Sequence, residues 1–356
     1  MLLVQDFLRN TGSLQDLENK YKIYNKRHNK YPNLVLLKYD QIESPFSEAI
    51  VRECRGLILN EANNWEIVAF PFTKFFNYGE PLAANIDWNT ARVQEKLDGS
   101  LAVMFYYDHK WQVATSGTPD ASGNVNGFDF TFEELFWKTF KEMGLKTPDD
   151  GYDIETTFMF ELTTPYNKVV VQHKECKLTL IGTRDLVSYA EIPIRWDQDY
   201  PHVKEFPLQS IKDIEETFNK LNPLEQEGYV VLDANYNRVK VKHPGYVALH
   251  HLRDSVSPKR ILEIIRSGES TEFLTYFPEF QDIFNSTKEK YNLLVKELED
   301  DYSEIKDIKI QKEFALEAIN SRCSAALFQL RSNKVSSVKQ YLAEINIDHL
   351  MDLIEE

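Results

Sequence analysis

Cysteine is scarce: Cys54, Cys176 and Cys323 are the only three in 356 residues, and they stand far apart. An odd count at such separations supplies neither a disulfide framework nor a paired metal spacing, and it suits a reducing cytoplasm. Long apolar runs are also missing. None approaches the ~20 residues of a membrane span, so no membrane partner is expected. Met1 to Asn10 has no basic opening and no small-residue cleavage site, so it does not read as a secretory leader. Positive charge is in deficit, with 41 Lys and Arg against 56 Asp and Glu, a net charge of −15. That excludes a protein that coats nucleic acid through bulk charge. Any nucleic-acid site has to gather its cations in one cleft. Internal repeats and low-complexity tracts are absent, and nothing in the sequence fixes an oligomeric state.

What is present fits an ordinary globular chain. Hydrophobic residues make up 42% and charged residues 27%, enough for a buried core without the charge excess of a disordered segment. The length suits one large domain with a smaller companion. The first two-thirds is rich in short β-prone runs. Strands are expected at 65–70, 92–96, 100–107, 111–116, 157–162, 168–172, 177–183, 228–232 and 238–242, and helices near 13–28, 131–143 and 210–221. Leu97-Asp98-Gly99 and Asp108-His109-Lys110 punctuate this part as turns. Beyond residue 244 the pattern changes. Ser257-Pro258 reads as an N-cap with proline in the first turn, Ile261, Leu262, Ile264 and Ile265 follow at helical spacing, and Gly268 marks a stop. Helical spacing continues through 279–305, 308–331 and 336–344, with 295–307 an acid-rich solvated face. The expected fold class is α+β: an antiparallel-sheet-rich domain over 1–243, then a small all-α domain over 244–356.

Five segments carry candidate chemistry. In Glu95-Lys96-Leu97-Asp98-Gly99-Ser100 a lysine ends a β-prone run and a turn follows at once, which fixes the amine instead of leaving it on a mobile surface. In Arg238-Val239-Lys240-Val241-Lys242 strand alternation sends three cations to one face, where they repel one another unless a polyphosphate lies across them. A solvent-facing edge strand is the plainer account of that segment alone. Glu161 in Phe158-Met159-Phe160-Glu161-Leu162 and Glu227 in Glu227-Gly228-Tyr229-Val230-Val231-Leu232 are carboxylates on apolar strands. Burying them is costly unless each is paired or holds a metal or a ribose. Arg52-Glu53-Cys54-Arg55-Gly56 flanks a turn into a strand, and Lys74-Phe75-Phe76-Asn77 sets a cation beside two aromatics.

Together, in this order, these segments resemble the RNA ligase 1 family of the covalent nucleotidyltransferase superfamily, typified by the T-even phage enzyme that reseals cleaved tRNA. Lys96-Leu97-Asp98-Gly99 resembles motif I of the superfamily, Phe158 to Leu162 motif IIIa, Glu227 to Val230 motif IV and Lys240-Val241-Lys242 motif V. Glu53 to Gly56, Lys74 to Asn77, Thr164-Pro165-Tyr166-Asn167 and Tyr246-Val247-Ala248-Leu249-His250 are more particular to the family. The resemblance implies an ATP-grasp-like adenylyltransferase domain and a helical domain that selects the RNA. It implies ATP, with Mg²⁺ or Mn²⁺, and RNA ends bearing a 5′-phosphate and a 3′-hydroxyl, including nicked tRNA. By the same resemblance Lys96 is the nucleophile that carries AMP, assisted by Lys240 and Lys242. Arg55, Lys74, Glu161, Glu227 and Tyr246 join them around the nucleotide, with Glu227 toward the metal. Arg253, Lys259 and Arg260, close behind motif V, are the cations expected to meet RNA. The sequence departs from the pattern at Ala114-Thr115-Ser116-Gly117, which has no lysine where motif III lies. A DNA ligase or a GTP-using capping enzyme is disfavoured because both usually carry a β-rich module after motif V. A non-catalytic RNA-binding relative is disfavoured by the intact lysines and acids.

Overall fold

The computed structural model describes residues 1–148, 153–167, 170–193, 200–252 and 257–355. By its contacts the chain divides into two units, Met1–Asp40 with Ser44–His250, and Gln41–Glu43 with His251–Glu356. The helix Pro244–Leu252 begins in the first unit, where Tyr246 and Val247 are buried.

The β-prone runs of the first unit pair into three sheets. In the first, β1 (Ile23–Arg27), β2 (Leu34–Tyr39), β3 (Arg55–Asn60) and β4 (Glu66–Ala69) lie antiparallel in sequence order. Further strands follow along the chain: β5 (Phe76–Asn77), β6 (Arg92–Lys96), β7 (Ser100–Tyr107), β8 (Lys110–Thr115), β9 (Thr156–Thr163), β10 (Lys177–Asp185), β11 (Glu191–Ile192), β12 (Glu205–Phe206), β13 (Gly228–Leu232) and β14 (Arg238–Lys242). The second sheet has the order β11-β10-β9-β7-β8, and the third β12-β6-β13-β14-β5. Both are antiparallel except where β14 pairs with β5.

Strand alternation sorts the side chains into layers. Val35 and Leu37 of β2 pack with Val4, Leu8, Leu17 and Val51 of the N-terminal helices, whereas Leu34 and Leu36 pack against Val103, Phe105 and Ala114 of the second sheet. A strand covered on both faces reads as an unbroken apolar run, so Leu34-Val35-Leu36-Leu37 carries no period-2 signal. The far side of the second sheet buries Met104, Phe158, Phe160 and Leu180 against Phe136 and Phe140 of the helix Phe132–Glu142. On the third sheet Val93, Tyr229, Val231, Val239 and Val241 bury against Ile214 of the helix Ile211–Phe218. That leaves Lys96, Val230, Lys240 and Lys242 on the opposite face.

Three expected elements differ. The helix near 13–28 stops at Tyr21, because Lys22 takes the left-handed conformation (φ 55°) and β1 follows. Lysine is not a residue that announces such a cap. The strand at 168–172 is absent over its described residues 170–172; residues 168 and 169 lie outside the description. There the N–H groups of Val170 and Val171 donate to the Asp98 carboxylate at 3.0 and 2.8 Å instead of to a ladder. The helical stretch 308–331 is two helices, Gln311–Ala318 and Ser324–Arg331.

Among its described residues the second unit has helices joined by turns and no strand. Its longest helix, Gln281–Ile305, packs Phe284, Leu294 and Leu298 against Ile261, Leu262, Phe273, Phe314, Leu327 and Leu342. Ser257 and Ser337 cap their helices by accepting backbone N–H bonds, and Pro258 opens the first of them. No described helix in either unit is long and apolar enough to cross a membrane.

A buried ion cluster ties the second sheet to the third. Glu191 on β11 accepts from Arg184 of β10 at 3.1 Å and from both terminal nitrogens of Arg238 on β14 at 3.0 and 2.7 Å. The guanidinium groups stack on Phe70 and Phe72, 4.2 and 4.3 Å from the ring centroids. Burial pulls the Arg184 guanidinium down, and Glu191 opposes that shift. Replacing Glu191 with alanine would strand two buried cations. The variant is expected to lose about 3–5 kcal/mol, read as a lowered urea midpoint by intrinsic fluorescence; an unchanged midpoint would show that the cluster does not hold the sheets.

Candidate active site

The open face of the third sheet and strands β9 and β10 of the second line a cavity of about 570 Å³. Register builds its floor. Lys96, Gly228 and Lys242 stand side by side on β6, β13 and β14, with Gln94, Val230 and Lys240 in the next row. At the usual strand spacing the flanking lysine backbones are roughly 10 Å apart. The glycine between them offers no side chain, and Glu227, one residue earlier, fills the gap. Its Oε2 lies 2.6 Å from Lys96 Nζ and its Oε1 lies 3.5 Å from Lys242 Nζ, with the Glu227 side chain only 4% exposed. One carboxylate therefore bridges the two ammonium groups. The strand of three cations is interior to its sheet, between β13 and β5, and not an edge.

The turn after Lys96 is pinned from behind. Besides receiving the Val170 and Val171 N–H groups, Asp98 offers its backbone oxygen to His173 Nε2 at 2.7 Å. Asn167 donates to Ser100 Oγ at 2.9 Å. A Cβ on Gly99 would come within 2.6 Å of the Leu162 oxygen, so only glycine lets β9 approach this closely. The Gly99 N–H also donates to Glu161. Asp98 thus positions the lysine turn and does not line the cavity.

Charge is concentrated above that floor. Phe75 is the hub: Arg55, Arg238 and Lys240 lie 5.5, 5.6 and 5.2 Å from its ring centroid. Arg55 Nη1 is buried with no hydrogen-bond partner, a donor that a phosphate oxygen would satisfy. Burial, followed by the charges of Lys242, Lys74, Lys96 and Arg55, pushes Lys240 down to about 7. Burial pushes Glu161 up to about 7 against the opposing pull of Lys96.

Not every residue read from the sequence meets in this cavity. Lys96, Arg55, Glu161, Lys240 and Lys242 line it, as does Arg238, which Glu191 already neutralises. Lys74 packs its ammonium among the rings of Tyr39, Phe46 and Phe76, at 5.3, 4.8 and 5.7 Å, and acts on Lys240 through its charge. Tyr246 is buried beneath Lys242, 6.0 Å from Nζ to ring centroid. Lys259 pairs with Asp348 and Arg260 with Glu263 inside the helical unit, and Arg253 lies outside the described residues. Lys38, which lines the cavity from β2, was not legible, because a lone lysine in an apolar run resembles an ordinary surface position. Among the described residues no three His, Cys, Asp or Glu side chains converge as a metal cluster.

A family model described as RNA ligase matches residues 53–246, over half of the chain. An RNA ligase of Rhodothermus phage RM378 is 27% identical over 339 residues, covering 77% of this chain and 76% of that protein. A protein of Autographa californica nuclear polyhedrosis virus, provisionally named a bifunctional polynucleotide kinase/RNA ligase, is 28% identical over 321 residues; the match covers 83% of this chain but 45% of that protein. Among solved structures, an archaeal ATP-dependent RNA ligase aligns over 78% of this chain and 74% of its own, with a TM-score of 0.48 and 13% identity.

The two displaced titrations set a pH signature. Lys240, lowered to about 7, burdens the folded state fully below that pH, and the burden fades as pH rises toward the ordinary lysine value of 10.5. Glu161, raised to about 7, adds none below the ordinary glutamate value of 4.5 and its full share above 7. Near neutrality both act at once. A polyphosphate in the cavity restores the charged form of Lys240, so binding at about pH 8 takes up a proton. Calorimetry with tripolyphosphate in buffers of different ionisation enthalpy should show this uptake, and Lys240→Met should abolish it; uptake unchanged in the variant would assign it to another group.

Proposed function

The chain belongs to the RNA ligase family, and on that premise we propose that it joins RNA 5′-phosphate and 3′-hydroxyl ends through AMP carried on Lys96. The observation that carries this reading is the shared carboxylate. Glu227 holds the Lys96 amine and the Lys242 ammonium together at the floor of a cavity that Lys38, Arg55, Arg238 and Lys240 also line. Attack needs the lone pair on Nζ, so the Lys96 ammonium first gives up a proton, to the Glu227 carboxylate or to water, and the Lys96–Glu227 bond opens. Nζ then bonds to the α-phosphorus of ATP, the bond to the bridging oxygen breaks, and pyrophosphate leaves with the electron pair. Lys240 and Lys242 stabilise the charge that develops on the phosphorus oxygens. In the second displacement an oxygen of the RNA 5′-phosphate takes the phosphorus from Nζ. In the third the RNA 3′-hydroxyl displaces AMP and seals the strand.

Ile181 and Val230 give the cavity apolar faces suited to a base, and Glu161 stands where a ribose hydroxyl can donate to it. A divalent cation, when bound, neutralises phosphate charge. Glu227 and Glu161 are the carboxylates that would help hold it, and a hard ion kept mostly by phosphate and water oxygens fits so small a donor set. Three free cysteines support a reducing compartment such as the cytoplasm. We assign adenylyl transfer to the sheet-rich unit and RNA selection to the helical unit, where Lys259 and Arg260 would have to exchange their acidic partners for phosphate.

Purified chain incubated with α-labelled ATP and Mg²⁺ is expected to carry label through a denaturing gel. Lys96→Ala should carry none, and labelled GTP should not substitute. Lys242→Ala should slow labelling by more than about tenfold, on the scale of ~2–4 kcal/mol for a lost contact to developing charge. Undiminished labelling of Lys96→Ala at the same mass would move the nucleophile elsewhere. Ligation of a 5′-phosphate, 3′-hydroxyl RNA against matching DNA decides the substrate class. For the helical unit, a chain ending at His250 that still folds by circular dichroism should keep self-labelling and lose its preference for a nicked tRNA stem-loop over a plain strand. Retained preference would return the unit to a purely structural role.

A further inference from the structure

Lys38 and Arg55 face each other across β2 and β3 as register partners, at the point where the pairing slips by a bulge after Leu37. Like charges placed directly opposite destabilise a sheet unless something anionic lies over them. Both side chains line the cavity. Neither makes a salt bridge among the described residues, and Arg55 Nη1 is buried without a hydrogen-bond partner. Lys38 is the one exposed residue of a strand otherwise buried from Leu34 to Tyr39.

The turn after β8 closes on this pair. Thr115 Oγ1 accepts from the N–H groups of Gly117 and Thr118 at 3.2 and 3.1 Å, which fixes the turn. A Cβ built on Gly117 would stand 3.3 Å from Lys38 Nζ, so the ammonium lies directly against the glycine. Gly56, at φ +86°, backs onto Ser116, where a Cβ would come within 3.1 Å of its Cα. Ala114 to Gly117 contributes no cation of its own; Lys38 supplies one from a different strand.

We propose that Lys38, Arg55 and the Ser116–Gly117 turn form one phosphate seat that is used twice, first by the pyrophosphoryl end of ATP and then by the 5′-phosphate of the RNA. The proposal rests on the reading of Lys96 as nucleophile. Displacement at phosphorus sets the entering and leaving groups roughly in line. In the first step Nζ enters and pyrophosphate leaves from the far side of the α-phosphorus. In the second the bond from Nζ to phosphorus breaks, its electron pair returns to nitrogen with a proton, and the RNA phosphate oxygen enters from that same far side. Lys96 belongs to the third sheet, whereas Lys38 and Arg55 belong to the first. The departing and arriving phosphates therefore need the same cations in turn, and pyrophosphate has to clear before RNA can react.

The full-length enzyme, charged with AMP and freed of ATP, tests this. Wild type, Lys38→Ala and Lys38→Arg are compared in two single-turnover reactions: loss of AMP driven by pyrophosphate, and formation of RNA-adenylate from 5′-phosphate RNA. For Lys38→Ala both half-saturating concentrations are expected to rise about tenfold, less than a buried contact would give because Lys38 is solvated. The thermal midpoint of Lys38→Ala should not fall, Lys38→Arg should recover most of the loss, and pyrophosphate should compete with RNA in the second reaction. A shift for pyrophosphate alone would overturn the shared seat, and wild-type values for both would overturn the seat itself. Should the wild-type chain take no AMP from ATP, the parent reading falls. Calorimetric binding of pyrophosphate to wild type and Lys38→Ala then still decides the seat, equal affinities overturning it.

Discussion

A carboxylate shared between two lysines sets the terms for the rest of the site. Ammonium groups brought from β6 and β14 to either side of Gly228 would repel one another in a partly dry cleft, and the Glu227 side chain keeps them together. The arrangement depends on strand register. A slip of one residue on β13 would move Gly228 out from between the two lysines and carry Glu227 away from them. It depends equally on Gly228, at φ +146°, where a Cβ would come within 2.3 Å of the Val241 oxygen and force β14 away. The apolar layer behind the sheet, with Tyr229 and Val231 packed on Ile214, is what holds that register.

Desolvation explains why the remaining cations are arranged as they are. Lys240, Arg55 and Arg238 crowd around one ring, Phe75, whose faces attract cations without adding a counter-charge that would compete with phosphate. Arg238 alone of the three pairs with a carboxylate, Glu191, which it shares with Arg184, and its work is to join sheets. Lys74 is held within an aromatic cage and still acts on Lys240 at a distance. Cations committed to protein partners thus frame those left for a ligand, which is how a chain of net charge −15 maintains one positive cavity.

Much of this was readable in the sequence where local pattern and chemistry coincide. The runs 92–96, 100–107, 228–232 and 238–242 alternate polar with apolar residues or are bounded by turn residues, and each forms a strand with those limits. Lys96, Lys240 and Lys242 stand on them, Glu227 immediately precedes one, and register brings them together. The first sheet was harder to see, because β2 is buried on both faces and β1 starts after a left-handed lysine. Asp98 reads as a turn former, and its role in anchoring Val170 and Val171 is a long-range contact that no local pattern encodes. Lys38 was hidden for the same reason: its meaning comes from Arg55 across the ladder and from a turn that follows β8. Tyr246 and Lys74 were legible as residues near the site, but only packing reveals that they support it from outside the cavity wall.

The pairing of β6 with β13 has a consequence for how the chain comes off the ribosome. Lys96 is made well before Gly228, and at ordinary synthesis rates β6 waits on the order of ten seconds for its neighbour. During that interval β6 has no partner on that side and is open to pairing with another chain. Its sequence, Arg92-Val93-Gln94-Glu95-Lys96, alternates charge or amide with apolar residues too sparsely to stack as a dry sheet. The charged side chains of β6 therefore act as gatekeepers, keeping a nascent half-built pocket from aggregating until the strands that complete it have emerged.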